Sequence, residues 1–270
     1  MKNRYETAKG LFVDSVDVED YIELESSVAA YTQLEESLEK PLKMILLFGK
    51  PGTGKSILLN TIAKNLKYQK EIHYFDTPSN EKQAFFSKFF YILTQKELPQ
   101  NSDINFAALV EYCQKLRGKR EIIILLDEAQ MYSGEMMEKI RLLSDTRVIK
   151  FVISLHKTED EDLIAKEHFK SRIWEIIELK NVNLDNQMTY IHKKLLKENL
   201  FEVADSINTK SMKLIHKFTE GNYRECNKLM YTIFGICDYY YNHEPKKINT
   251  EVLSTRIIEM AALKLGYIHA

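Results

Sequence analysis

Met44-Ile45-Leu46-Leu47-Phe48-Gly49-Lys50-Pro51-Gly52-Thr53-Gly54-Lys55-Ser56-Ile57-Leu58-Leu59-Asn60 is the stretch from which the rest of the chain is read. Five apolar residues, Met44 to Phe48, make a buried strand, Gly49 to Gly54 a glycine-rich turn, and Lys55 opens a helix. The spacing fits G-x-x-x-x-G-K-[ST]. Small residues let successive backbone N–H groups curl around a phosphate, and the helix that follows adds its positive N-terminal end. In this pattern Lys55 bridges the β- and γ-phosphates of a nucleoside triphosphate, and the Ser56 hydroxyl reaches the accompanying Mg2+. Gly49, Lys50, Pro51, Gly52, Thr53, Gly54, Lys55, Ser56 and Ile57 are therefore the nucleotide-binding candidates.

Around this stretch lies a chain of 270 residues, 44% of them hydrophobic, enough for one large or two modest domains with real cores. Thirty-eight basic residues against 39 acidic ones leave a net charge of −1, so no global electrostatic footprint for nucleic acid or an anionic membrane exists. A local basic patch is left open. Cys113, Cys226 and Cys237 are odd in number and lack metal spacing, which suits reduced thiols filling cores in a reducing compartment. The N-terminus lacks the apolar region of a leader, and no uninterrupted apolar stretch approaches the length of a membrane span. The expectation is a cytosolic protein, or one peripheral to a membrane through a partner.

Outward from the turn, Gly10 to Asp14 reads as a connector and Tyr21 to Leu38 as a helix ended by Pro41. Glu71 to Asp76 reads as a second strand, Asn80 as the cap of a phenylalanine-rich helix to about Gln95, and Phe106 to Leu116 as a helix closed by Gly118. Phe85, Phe86, Phe89 and Phe90 recur at helical spacing, the pattern of core rather than of a ligand box. Glu121-Ile122-Ile123-Ile124-Leu125-Leu126-Asp127-Glu128 is a continuous apolar run ending in two acids, the signature of a parallel strand covered on both faces. Further strands fall at Val148 to Leu155 and Trp174 to Leu179, with a helix from about Gly134 to Leu143.

Strands alternating with helices predict an α/β fold, a P-loop NTPase with a parallel sheet core, whose ligand site lies at the carboxyl ends of the strands. From Asn183 onward the period is 3.6, predicting an all-helical C-terminal domain. The predicted division is therefore an α/β domain over 1–182, with residues 1–40 as its N-terminal segment, and a helical domain over 183–270. Asp127 would hold the Mg2+ shell, and Glu128 would orient or deprotonate the attacking water. In the helical part, Tyr239-Tyr240-Tyr241 with Phe234 and Tyr231 reads as packing between helices, with a partner-binding or base-stacking surface as the alternative. Its many lysines, mixed with acids, read as a solvated face.

These features together resemble an AAA+ ATPase: the G-x-x-x-x-G-K-S loop, the D-E strand end, an arginine just before the last strand, and a helical lid carrying Gly221-Asn222-Tyr223-Arg224. Leu125-Leu126-Asp127-Glu128-Ala129-Gln130 followed by Ile140-Arg141-Leu142-Leu143-Ser144 is similar to the branch of the ExeA/GspA accessory ATPases of type II secretion and type IV pilus systems, together with the TniB and MuB transposition ATPases. The resemblance covers roughly residues 10 to 265 and implies hydrolysis of ATP with Mg2+ in an oligomer.

It makes Arg172 the arginine finger reaching a neighbouring subunit's γ-phosphate, and Arg224 the sensor-2 arginine on the nucleotide of its own subunit. The fourth strand should end in a polar sensor-1 residue. Here it offers Ser154, Leu155 and His156, without the usual asparagine or the glutamine common in the ExeA branch. Ser154 and His156 both remain candidates. The adenine pocket would draw on the N-terminal segment, around Phe12 to Ile22.

The leading expectation from the resemblance is a motor remodelling the protein partners of a secretion, pilus or DNA-uptake machine at the bacterial inner membrane. A DNA-binding ATP switch of the transposition or helicase-loader kind is the alternative, which the balanced charge does not favour. A nucleotide-dependent scaffold without turnover is a third reading.

Overall fold

The computed structural model describes residues 3–78, 81–97, 105–156, 171–249 and 251–269. The proposed cap Asn80 lies outside them. The described chain divides into two compact units, a sheet unit of residues 30–50 and 55–179 and a helical unit of residues up to 29, 51–54 and 180 onward.

In the sheet unit, β1 (Met44–Gly49), β2 (Ile72–Phe75), β3 (Ile122–Leu126), β4 (Ile149–His156) and β5 (Ile173–Leu179) form one parallel sheet in the order β2-β3-β4-β1-β5. Alternate residues of each strand face opposite sides. On one side Met44, Leu46, Ile122, Ile124, Leu126, Phe151 and Ile153 pack with the helices Lys82–Thr94 (α4), Phe106–Leu116 (α5) and Gly134–Asp145 (α6). On the other, Ile45, Leu47, Ile123, Leu125, Val152 and Ile177 pack with Glu25–Glu39 (α2) and Lys55–Leu66 (α3). Burial on both faces is why these strands are continuous apolar runs rather than alternating ones. The phenylalanine cluster is core: Phe85, Phe86 and Phe89 are buried, and Phe89 stacks on Phe75 with centroids 5.4 Å apart.

The register sets the site. Gly49 of β1 lies opposite His156 of β4, Leu126 of β3 lies opposite Ile153 of β4, and Phe75 of β2 opposite Leu126. All five strands run the same way, so the phosphate loop, Asp127-Glu128 and His156 emerge from the same edge. Met44 lies opposite Ile173, which puts Arg172 at the other edge.

The helical unit contains α1 (Arg4–Leu11), α7 (Leu184–Lys197), α8 (Phe201–Asp205), α9 (Thr209–Thr219), α10 (Tyr223–His243) and α11 (Thr255–Lys264). Asparagines at the N-caps of α7, α9 and α10, Asn183, Asn208 and Asn222, accept backbone N–H bonds in the first turn. Ser254 caps the last helix, its side chain accepting from Arg256 N.

This unit differs from the division at 182 in taking in the N-terminal segment. Tyr5, Ala8, Phe12 and Leu24 are buried in the same core as Ile191, Leu229, Ile233 and Ile258. Three lysines of α7 fasten the segment by its backbone: Lys193 donates to Glu23 O at 2.7 Å, Lys194 to Leu11 O at 2.8 Å, and Lys197 to Glu19 O. The three cysteines are buried free thiols, and burial pushes Cys226 and Cys237 up to about 12. Among the described residues no helix is long and apolar enough to cross a membrane.

Candidate active site

Lys55 begins α3 directly after the loop and is 4% exposed. Its ammonium donates to Gly49 O at 2.8 Å and Lys50 O at 3.1 Å, so the loop's own carbonyls hold the cation at the turn. Gly52 and Gly54 have φ of 78° and 94°, a region closed to most residues with a Cβ, which is why the turn carries glycine there.

At the end of β3, Asp127 is 2% exposed. Its Oδ1 accepts from Glu128 N at 2.9 Å and its Oδ2 from the Tyr74 hydroxyl at 3.0 Å. Burial, and after it the charge of Asp127, raises the Tyr74 phenol far above its ordinary value, which fixes it as a donor. Glu128 follows in the left-handed region, φ 49° and ψ 41°, a conformation that costs a residue with a Cβ about 1 kcal/mol. That backbone turns its carboxylate away from the strand and toward β4.

His156 Nε2 lies 2.9 Å from Glu128 Oε1, and His156 Nδ1 lies 3.3 Å from Gln130 Nε2. Gln130 Nε2 also donates to Glu128 Oε2. One assignment satisfies all three contacts: Gln130 donates to Nδ1, and a neutral imidazole carrying its proton on Nε2 donates to the carboxylate. Both Glu128 oxygens are thereby engaged. Ser154, two residues earlier on β4, is fully buried, and its hydroxyl lacks a hydrogen-bond partner among the described residues. Of the two sensor-1 candidates, only His156 is brought to the acid pair.

In the helical unit, the turn of the loop meets the start of α10. Asn222 Nδ2 donates to Pro51 O at 2.7 Å and Tyr223 N to Gly52 O at 3.1 Å. A Cβ on Gly52 would fall 2.7 Å from Arg224 Cβ and collide with the Asn222 amide. Arg224 therefore stands beside the loop turn, its Nε donating to Asp14 Oδ2 at 3.1 Å. Gly221, with φ 75°, lets Val182 approach, donating to Gly221 O at 3.0 Å, and a Cβ there would collide with the Val182 carbonyl.

Arg172, at the opposite sheet edge from the loop, donates to both oxygens of Asp145, from Nε at 3.1 Å and from Nη2 to Oδ2 at 3.0 Å. Asp145 also receives Lys43 at 2.5 Å and Arg141 at 2.9 Å. Each strand rises about 3.3 Å per residue, so Arg172 is remote from the phosphate loop of its own chain. Sequence reasoning missed Tyr74 and Gln130. The available signals were a tyrosine on the strand next to β3 and a glutamine two positions after Glu128.

A buried ammonium held by the carbonyls at and just after the end of β1 and a buried carboxylate at the end of β3, with β4 between the two strands, form a donor set that fits a nucleoside triphosphate with Mg2+. Lys55, Ser56 and Asp127 are the residues that would hold them.

The fold is the P-loop AAA+ fold, a five-stranded parallel sheet with a helical C-terminal region. Residues 39–162 match the family model described as an AAA domain. Similar solved structures include Cdc6p of Pyrobaculum aerophilum, 15% identical with a TM-score of 0.63 over 95% of this chain and 70% of that one. Aeropyrum pernix Orc1, solved in complex with DNA, is 14% identical with a TM-score of 0.63 over 95% and 69%. Domain III of the Thermotoga maritima replication initiation protein DnaA is 17% identical with a TM-score of 0.52 over 93% and 95%. No curated protein matches the sequence.

Proposed function

We propose that the chain hydrolyses ATP with Mg2+ and uses the bound nucleotide as a switch that controls its assembly on DNA. The observation that carries the ATPase half is that Lys55, Asp127 and a Glu128 braced by His156 and Gln130 stand at the same edge of the sheet. Bound Mg2+ would neutralise charge developing on the phosphates. Lys55 and the loop amides bind the phosphates, and Asp127, fixed by Tyr74, offers its carboxylate to the metal shell. Glu128 takes the proton of the attacking water, with His156 and Gln130 setting where that carboxylate points. Arg224, beside Gly52, reads the nucleotide in its own chain. Arg172 serves a neighbouring chain in a homo-oligomer.

The DNA half is supported by the similar structures, which include an Orc1 bound to DNA and a replication initiation protein. The motor reading, in which the chain serves a secretion, pilus or DNA-uptake machine, has the Leu125 to Gln130 motif behind it and no support from the similar structures. ATP turnover measured against protein concentration, with and without DNA, tests the proposal. Turnover and assembly that DNA raises are expected, and ATP turnover indifferent to DNA would favour the protein-remodelling motor.

A further inference from the structure

We propose that a tyrosine-lined groove of the helical unit, formed by α1, α10 and α11, binds single-stranded DNA, a reading that rests on the DNA switch above. The groove has a volume of about 460 Å³, and its lining includes Lys9, Tyr231, Gly235, Tyr239, Tyr240 and Lys264. Phe234 is buried, as packing between helices requires, but Tyr239 is 55% exposed and Tyr231 is 40% exposed. These rings therefore lie outside the core to which the periodicity assigns them.

Three features identify the occupant. Tyr231, Gly235 and Tyr239 recur every four residues along one face of α10, so the two rings stand about 12 Å apart along the helix. Gly235 lies between them, where an added Cβ would meet only Lys9 Cδ and Cε at 3.9 Å. The flexible Lys9 stem is what covers the helix at Gly235, so a flat ring reaches the surface between the two tyrosines when that stem swings aside. Second, Tyr239 is already stacked on His243, with centroids 4.6 Å apart and planes 18° from parallel, and meets Tyr240 edge-on at 5.7 Å. That is a preformed stacking surface.

Third, the charge is one-signed. Lys9 and Lys264 are in the lining, and the lining residues include no carboxylate. Lys9 Nζ lies over the Tyr231 ring, 4.8 Å from its centroid, a mobile cation that a base stacking on that face would displace toward the strand's phosphates. Nearby Glu244 is paired with Lys247, and Asp238 is hydrogen-bonded to Asn3 and Asn242. Aromatic rings interleaved with lysines are the composition of single-strand grooves, where bases stack and phosphates pair with cations. Tyrosine and methionine, both in the lining, are also common in protein interfaces, but lysine is depleted at the centres of those interfaces, so it is Lys9 and Lys264 that favour a nucleic acid strand. Duplex DNA presents no unstacked base to the rings.

The test uses the full chain with the Glu128→Gln substitution and bound ATP, titrated into a fluorescein-labelled thymidine strand of about twenty nucleotides or a duplex of equal length. Tyr231→Ala with Tyr239→Ala should weaken strand binding at least about tenfold. Gly235→Leu, which fills the groove floor, should do the same. Lys9→Ala should lower the salt dependence by about one counterion. ATP affinity and melting temperature, read in parallel, should stay at the parental values. If the parent binds the strand and the tyrosine and Gly235→Leu variants bind it within about twofold, the groove is overturned while the DNA reading stands. If the parent binds neither strand nor duplex, the DNA reading falls and the groove with it.

Discussion

His156 Nε2 stands 2.9 Å from Glu128 Oε1, joining the end of β4 to the acid pair that ends β3. On the proposed mechanism this contact positions the carboxylate. His156→Ala should leave ATP affinity within about threefold and lower kcat by about tenfold to a hundredfold. His156→Asn, which keeps a donor, should recover part of that loss. An unchanged kcat in His156→Ala would remove this role. Steady-state turnover beside nucleotide-binding titration separates the outcomes.

Glu128→Gln keeps the shape of the side chain and removes the proposed base. ATP should remain bound and turnover should fall by at least about a hundredfold. Turnover at the parental rate would mean that another group takes the water's proton.

Gly221 has φ 75° and admits the Val182 carbonyl where a Cβ would stand. Gly221→Ala should destabilise the helical unit by roughly 1–3 kcal/mol, read as a lower melting temperature. Because Gly221 precedes the Asn222 cap that grips Pro51, nucleotide affinity should fall as well. Gly118→Ala is the contrast: its φ is 75° but no neighbour lies within 4 Å, so only the backbone cost is expected.

Asp145 is held below the usual carboxylate range: partial burial pushes it up, but the hydrogen bonds from Arg172 and Lys43 outweigh that. A depressed folded value means the unfolded chain takes up the proton first. The stabilisation is therefore complete above the unfolded aspartate value of about 3.9 and is lost as the pH falls through the folded value. Asp145→Asn should lower the urea midpoint near neutrality, and the difference from the parent should shrink on acidification. A difference independent of pH would rule out the ion pairs as its source.

Arg172 makes the same cluster and is the proposed finger for a neighbour. Arg172→Ala should leave ATP affinity nearly intact and reduce turnover by about a thousandfold in the assembled state. Mixing Arg172→Ala with Glu128→Gln chains should restore part of the activity, since some interfaces then join an intact Arg172 to an intact Glu128. Mixed assemblies without any recovery would argue that Arg172 acts only through Asp145.

Much of the fold could be read from particular residues. Met44 to Phe48 and Ile122 to Leu126 are apolar without alternation because helices cover both faces of the sheet, and the glycines at 52 and 54 sit where φ is positive. The placement of residues 3–29 could not be read this way, because Tyr5, Phe12 and Leu24 carry no mark of which of two cores will take them. Ser154 and His156 are equally polar and two residues apart, hence on one face of β4. Only depth along the strand separates them, since Ser154 lies under the core while His156 reaches the edge. Gln130 and Tyr74 act through contacts across strand ends, which sequence spacing does not encode.

The most direct test of the central claim is Mg2+-dependent ATP turnover by the parent chain, measured beside equilibrium ATP binding by Lys55→Ala and Glu128→Gln. The account predicts turnover in the parent, loss of binding in Lys55→Ala, and tight binding without turnover in Glu128→Gln. Parental binding retained by Lys55→Ala, or turnover retained by Glu128→Gln, would contradict it.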